Sequence, residues 1–156
     1  MRLDFAELGL PPETRCQTWE FWTEAYCGPC TGAMETDIPA ESVRVFRLTP
    51  EAGRPVILGT DMHLTMGEVE LQPPVWDDAN RTLAFTAMRP AGETGSVFVW
   101  MPQGMHPVDS GLVYVARDRD GKRGELLLRV PLAFDGAPQP RTLRFAPDSG
   151  SPDAQE

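Results

Sequence analysis

Ser96-Val97-Phe98-Val99-Trp100-Met101 decides the fold. From Val97 to Met101 its residues are β-branched, aromatic or otherwise apolar at consecutive positions. A strand projects successive side chains to opposite faces, so a strand built here is apolar on both faces and belongs at the centre of a sheet. Its neighbours repeat the theme at lower amplitude. Thr82-Leu83-Ala84-Phe85-Thr86-Ala87-Met88 alternates, with Leu83, Phe85 and Ala87 pointing one way. Glu41 to Leu48 reads as a further strand, with Val43 and Val45 on one face and Arg44, Phe46 and Leu48 on the other. Leu112–Arg117 and Gly124–Val130 flank Asp118-Arg119-Asp120-Gly121, and an Asp-Gly step between two apolar runs signals a hairpin. Arg141–Phe145 closes the series.

Turn chemistry fills the gaps: Pro11-Pro12, Gly28-Pro29, Gly53-Arg54-Pro55, Pro73-Pro74, Asp77-Asp78-Ala79-Asn80, Pro90-Ala91-Gly92 and Gly136-Ala137-Pro138. With 16 prolines and 14 glycines in 156 residues, there is little room for helices of ordinary length. These signals predict an all-β fold: a two-sheet antiparallel β-sandwich of Greek-key or jelly-roll type with about eight to ten strands. One domain over residues 1–146 is expected. The Pro-, Ser-, Asp- and Gly-rich tail, 147–156, is expected to be poorly ordered.

The charge balance narrows the function. Lys and Arg total 14 against 23 Asp and Glu, a net charge of −9. A phosphate-tracking nucleic-acid binder needs a basic stripe, and docking on anionic lipid needs basic clusters, so neither partner is expected. No apolar run reaches the ~18 residues of a membrane span. The first eight residues, Met1 to Leu8, lack the apolar stretch of a secretory signal, which leaves the cytoplasm as the default location.

Cys27-Gly28-Pro29-Cys30 is spelled like a dithiol redox motif. Such a thiol is activated at a helix N-terminus, where the dipole and free N–H groups favour thiolate. Gly32 and Pro39 follow closely, with no helical stripe, so the expected setting is a loop between strands. Cys16, Cys27 and Cys30 with His63 or His106 would make up a zinc-ligand set, but no second local pair accompanies Cys27 and Cys30. They are weak metal candidates, and no cofactor is expected. Asp118, Asp120 and Glu125 lack the frame of a calcium loop and suit a solvated hairpin tip better.

Gly53 to Gly67 contains Thr60-Asp61-Met62-His63-Leu64-Thr65-Met66-Gly67. This segment resembles the junction in the C-terminal β-domain of α-galactosidase-like glycoside hydrolases, where a strand ends near a Thr-Asp-x-His-x-Thr-x-Gly pattern. Other pieces resemble that domain in the same order. Leu8-Gly9-Leu10 and Trp19-Glu20-Phe21-Trp22 look like its opening strands, and Asp37–Leu48 like the strand before the junction. Val75-Trp76-Asp77 with Arg81-Thr82-Leu83 looks like a following hairpin, and Pro90-Ala91-Gly92 before Val97 like its continuation. The resemblance covers roughly residues 3–103. In that family the catalytic carboxylates belong to a preceding (β/α)8 barrel of ~250 residues, which this chain does not contain. The resemblance therefore implies a non-catalytic accessory module that packs on a glycosidase catalytic domain or another protein surface, with no catalytic residue to carry over.

Two local features compete with that expectation. Asp61, His63 and Thr65 would share one face of an extended segment, as a general base with an orienting carboxylate would, but no nucleophile can be placed beside them. A structural role for Thr60, Asp61, His63, Thr65 and Gly67 is the expectation. Trp76, Trp19 and Trp22 are candidate sugar contacts, because flat amphipathic rings suit sugar faces. If Trp19 and Trp22 share one strand they face opposite ways, and Trp100 belongs to the core. The alternatives to the accessory module are thus a free-standing carbohydrate-binding module using exposed Trp, or a small redox or zinc protein using Cys27 and Cys30.

Overall fold

The computed structural model describes residues 1–116 and 126–148. In it the fold is all-β and sandwich-like, with antiparallel pairing throughout. Thirteen strands are described: β1 (Arg2–Asp4), β2 (Arg15–Glu20), β3 (Ala25–Thr31), β4 (Ala33–Glu35), β5 (Phe46–Pro50), β6 (Val56–Thr60), β7 (Val75–Asp77), β8 (Thr82–Ala87), β9 (Thr94–Met101), β10 (Met105–Pro107), β11 (Val113–Ala116), β12 (Leu126–Ala133) and β13 (Gln139–Pro147). They exceed the expected eight to ten because short pairs and a third layer add to the sandwich.

The central sheet has the order β11-β12-β9-β6, and the outer sheet β10-β13-β8-β7. They face each other across the main core. Ile57, Val97, Val99, Met101, Leu128, Val130 and Leu132 come from the central sheet, and Leu83, Phe85, Ala87, Leu143 and Phe145 from the outer one. β8 shows the predicted alternation, with Leu83, Phe85 and Ala87 buried and the residues between them part-exposed. The other face of the outer sheet meets water.

The central sheet is covered on its second face as well. A three-stranded sheet of order β3-β2-β5 packs there, and Trp19, Leu58, Met66, Phe98, Trp100 and Leu127 fill the interface. β9 therefore sends Val97, Val99 and Met101 to one core and Phe98 and Trp100 to the other. That is the two-faced burial read from Ser96–Met101. Trp19 stacks on Phe98 with ring centroids 4.2 Å apart. The approach is close enough that a Cβ on Gly59 would lie 3.0 Å from the Trp19 ring. Beyond the three-stranded sheet, the β1–β4 pair and a single 3-10 turn, Phe5–Leu8, close a third cluster around Phe5, Cys16 and Met34.

Several boundaries differ from the sequence reading. Leu8-Gly9-Leu10 is not a strand. Leu8 ends the 3-10 turn, and Gly9 caps it at φ +73. The strand expected over 41–48 starts only at Phe46, and Val43 stays exposed. β2 stops at Glu20, so Trp19 and Trp22 do not share a strand. β13 runs to Pro147, one residue beyond 146, and the Asp148 N–H donates to Gly104 C=O at 2.8 Å. β11 and β12 pair as the hairpin signal required. Its tip, with Asp118, Asp120 and Glu125, lies outside the described residues, as does 149–156.

Truncating the shared ring tests this arrangement. Phe98→Ala should cost about 3–5 kcal/mol in urea unfolding, because it empties the interface against Trp19 and the cavity closes only in part. A loss below about 1 kcal/mol would mean that the two layers do not pack as described.

Candidate functional site

The junction segment is a structural corner. β6 ends at Thr60, and residues 61–70 turn rather than extend, so Asp61, His63 and Thr65 do not share the face of a strand. Asp61 carries on the β6–β9 ladder by other means. Its backbone N–H donates to Ser96 C=O at 3.3 Å, and its Oδ1 accepts the Ser96 N–H at 2.6 Å. Both polar backbone groups of Ser96 are thereby directed at Asp61, away from β12. The β12 residue opposite Ser96 is Pro131, which has no N–H to offer. Arg129 ties the corner further, donating to Ser96 Oγ at 2.7 Å and lying 3.6 Å from Asp61 Oδ2.

His63 faces solvent and is engaged locally. Its Nδ1 accepts the Thr65 N–H at 3.2 Å and lies 2.9 Å from Thr65 Oγ1. Accepting from a backbone N–H leaves the ring proton on Nε2 in the neutral form. Thr65 thus occupies the nitrogen that an orienting carboxylate would need. Thr60 is buried and donates its hydroxyl to Glu70, also buried, whose Oε2 has no hydrogen-bond partner. Gly67 turns the chain at φ +117, and Arg47 on β5 holds the loop by donating to Met66 C=O at 2.6 Å. Glu70 escaped the sequence reading because it stands beside Glu68, an exposed acid of the same type.

The aromatic turn joins β2 to β3 at the end of the three-stranded sheet. Glu20 is fully buried and organises it. Its carboxylate accepts the Trp22 N–H at 3.3 Å, the Thr23 N–H at 2.8 Å and the Thr23 hydroxyl at 2.5 Å, with Arg44 3.8 Å away. Burial alone would push this carboxyl up, but the bonds from Thr23, Trp22 and Val45 together outweigh it and hold it below its ordinary value. The turn lifts Trp22 to 56% exposure, with its ring edge-on to Phe21 at 5.0 Å. Sequence reasoning passed over Glu20, since nothing in Trp19-Glu20-Phe21-Trp22 marks its side chain as inward.

The other aromatic candidates fare differently. Trp19 has no exposure and leaves the set of sugar contacts, because its ring is committed to Phe98. Trp76 is half-buried against the main core, and its Nε1–H donates to Asp78 at 2.5 Å. Trp100 is core, as expected.

Cys27-Gly28-Pro29-Cys30 forms part of β3, not a loop. Pro29 is tolerated for a geometric reason. Gly32 N–H donates to Thr14 C=O, so alternate pairs along the β2–β3 ladder exchange hydrogen bonds and Gln17/Pro29 falls between them. β3 is also the edge of its sheet, where a missing N–H costs least. Opposite Thr18 and Trp19 the register slips, and Gly28 takes φ +87 in the resulting bulge. No helix begins at Cys27. Partial burial, reinforced by the Glu20 carboxylate, pushes the Cys27 thiol up, and burial does the same to Cys16. Both shifts oppose thiolate formation. Among the described residues, no three His, Cys, Asp or Glu side chains converge to hold a metal ion. A cavity of about 340 Å³ opens over the strand, bordered by Thr18, Cys27, Cys30 and Phe46.

The turn carries a pH signature. Glu20 has a folded pKa below its unfolded value of ~4.3, so its contribution is complete above that pH and is lost as pH falls through the folded value. Glu20→Gln should therefore be less stable than the parent by about 2 kcal/mol at pH 7, and the gap should shrink toward zero near pH 3. Urea unfolding at both pH values checks this, and an undiminished gap at pH 3 would contradict it.

Comparison of the chain with protein-family models, with curated proteins and with solved structures finds no match.

Proposed function

We propose that this chain is a non-catalytic β-sandwich module that works by binding another protein through the Trp22 end of its three-stranded sheet. What supports this is how the acids and the histidine near the junction are used. Asp61 completes a ladder, Glu70 bonds Thr60, and His63 is turned to Thr65. At the junction, none of these three groups stands beside another for general acid–base work. At the sheet end, Trp22 is exposed and Val43 is 68% exposed, and the Phe21 N–H donates to Val45 C=O at 3.0 Å, which brings the two segments together. An exposed Trp beside other apolar groups and a cation, Arg44, has the composition of an interface anchor.

The narrower form of the proposal is an accessory domain seated on a glycosidase barrel. It rests on the order of the motifs from Trp19 onward within residues 3–103, without Leu8-Gly9-Leu10 as a strand, and on the β6 end at Thr60 and the β7–β8 hairpin with Asp77 opposite Thr82. The observation of an exposed Trp22 also favours a second reading, a free-standing carbohydrate-binding module, in which the same ring would stack on a sugar.

The module purified alone should hydrolyse none of a panel of nitrophenyl glycosides that includes the α-galactoside. It should co-elute with an α-galactosidase barrel stripped of its own C-terminal domain, and Trp22→Ala should weaken that association at least ~10-fold. Turnover in the parent that is lost in Asp61→Ala would overturn the non-catalytic reading. Binding of oligosaccharide but not barrel, abolished by Trp22→Ala, would replace the accessory role with the carbohydrate-binding one.

A further inference from the structure

The three thiols lie on or beside one face of the β3-β2-β5 sheet, but their places in the ladder are unequal. Cys16 on β2 and Cys30 on β3 are directly opposed. Alternation from the Thr14/Gly32 bond makes Cys16/Cys30 a hydrogen-bonded pair, whose Cα atoms sit ~5.5 Å apart in an antiparallel ladder. A disulfide accepts Cα separations of ~4.4–6.8 Å. It also needs Cβ atoms ~3.5–4.5 Å apart, against ~4.5–5.5 Å for opposed residues, so the edge strand β3 must close on β2 by about 1 Å to form it. Opposed residues project to the same face, and both side chains join the cluster around Phe5 and Met34. Cys30 Sγ already lies 3.8 Å from the Cys16 carbonyl oxygen. Cys27 and Cys30 are different. They stand three residues apart along one strand, ~10 Å at ~3.3 Å per residue, and the bulge at Gly28 removes only part of that. Closing them would need the edge strand to leave its ladder, since ~7 Å is the limit without backbone movement.

We infer that Cys16 and Cys30 form a cross-strand disulfide on reaction with a small-molecule disulfide, and that the spelled pair, Cys27 and Cys30, does not. Cys16 is fully buried and cannot meet the reagent first, whereas Cys30 borders the cavity. Thr18 Oγ1 lies 3.1 Å from Cys30 Sγ and can donate to a thiolate there. The Cys30 thiolate attacks one sulfur of RSSR, the S–S bond breaks, and RS⁻ leaves. Cys16 then loses its proton, and its thiolate attacks Cys30 Sγ and expels the second RS⁻. Two protein thiols are oxidised, and one RSSR is reduced to two RSH that take up the two protons. Cys27, exposed at the cavity rim, carries at most a mixed disulfide.

The test treats the folded protein with excess oxidised glutathione, alkylates the remaining thiols at acid pH, and maps the bonds by mass spectrometry. All three cysteines fall between Arg15 and Arg44, so trypsin alone cannot separate them. Adding a Glu-specific protease cuts after Glu20, Glu24 and Glu35. The expected product links the fragment 16–20 to the fragment 25–35 through Cys30, with Cys27 alkylated or glutathionylated. Cys27→Ser should keep the link. Cys30→Ser, checked for its fold by circular dichroism, should lose it. A bond internal to 25–35, a link through Cys27, or mixed disulfides alone in the parent would each overturn the inference.

Discussion

The structure depends on one strand being buried on both faces. β9 places Val97, Val99 and Met101 in the sandwich core and Phe98 and Trp100 in the second interface. Neither layer can be formed without it. The stack of Trp19 on Phe98 sets the spacing between the central and three-stranded sheets, and Gly59 gives the indole the room it needs. Burying an aromatic pair of this kind is among the largest single apolar gains in a domain of this size. The third cluster, around Phe5, then stands on the far side of β2 and inherits its position from that stack.

Two carboxylates near these layers, Asp61 and Glu20, hold the backbone together. The Asp61 carboxylate substitutes for a strand residue opposite Ser96, which lets Pro131 sit in β12 without leaving a buried N–H or C=O unpaired. Glu20 performs the same service for the turn after β2, where four backbone and side-chain donors converge on one buried carboxylate. A buried carboxylate with several donors stays ionised, and its role is positional. In this molecule it positions Trp22, which links the interior electrostatics to the exposed ring that the proposed binding surface uses.

The all-β class and the centre of the sheet were legible because their signals are redundant. A doubly apolar run such as Ser96–Met101 has one comfortable place, and the period-two pattern of Leu83, Phe85 and Ala87 names its own inward face. The thiol strand was not legible. Gly and Pro ordinarily mark a break, and only the pairing register shows that Pro29 falls where no N–H is needed. Leu8-Gly9-Leu10 misled in the opposite direction, since three residues carry no period and the left-handed Gly9 ends a 3-10 turn. The junction is a turn where period-two spacing suggested an extended segment. Its Asp61 bonds to Ser96, 35 residues away in sequence, and no local pattern encodes that contact. Trp19 and Trp22 illustrate the same limit. Three residues separate a buried ring from an exposed one, and the difference lies in a turn fixed by the side chain of Glu20.

The central claim is that β9 is the shared wall of two cores and that the layers therefore open together. Native-state hydrogen exchange measures this most directly. Amides of Val97–Met101 should exchange only by global unfolding, with β2 amides of Gln17–Trp19 and β8 amides of Leu83–Phe85 sharing that same opening free energy. Exchange of β9 at the rate of the edge strands would contradict it, as would β2 opening several kcal/mol below β8 while the sandwich stays closed.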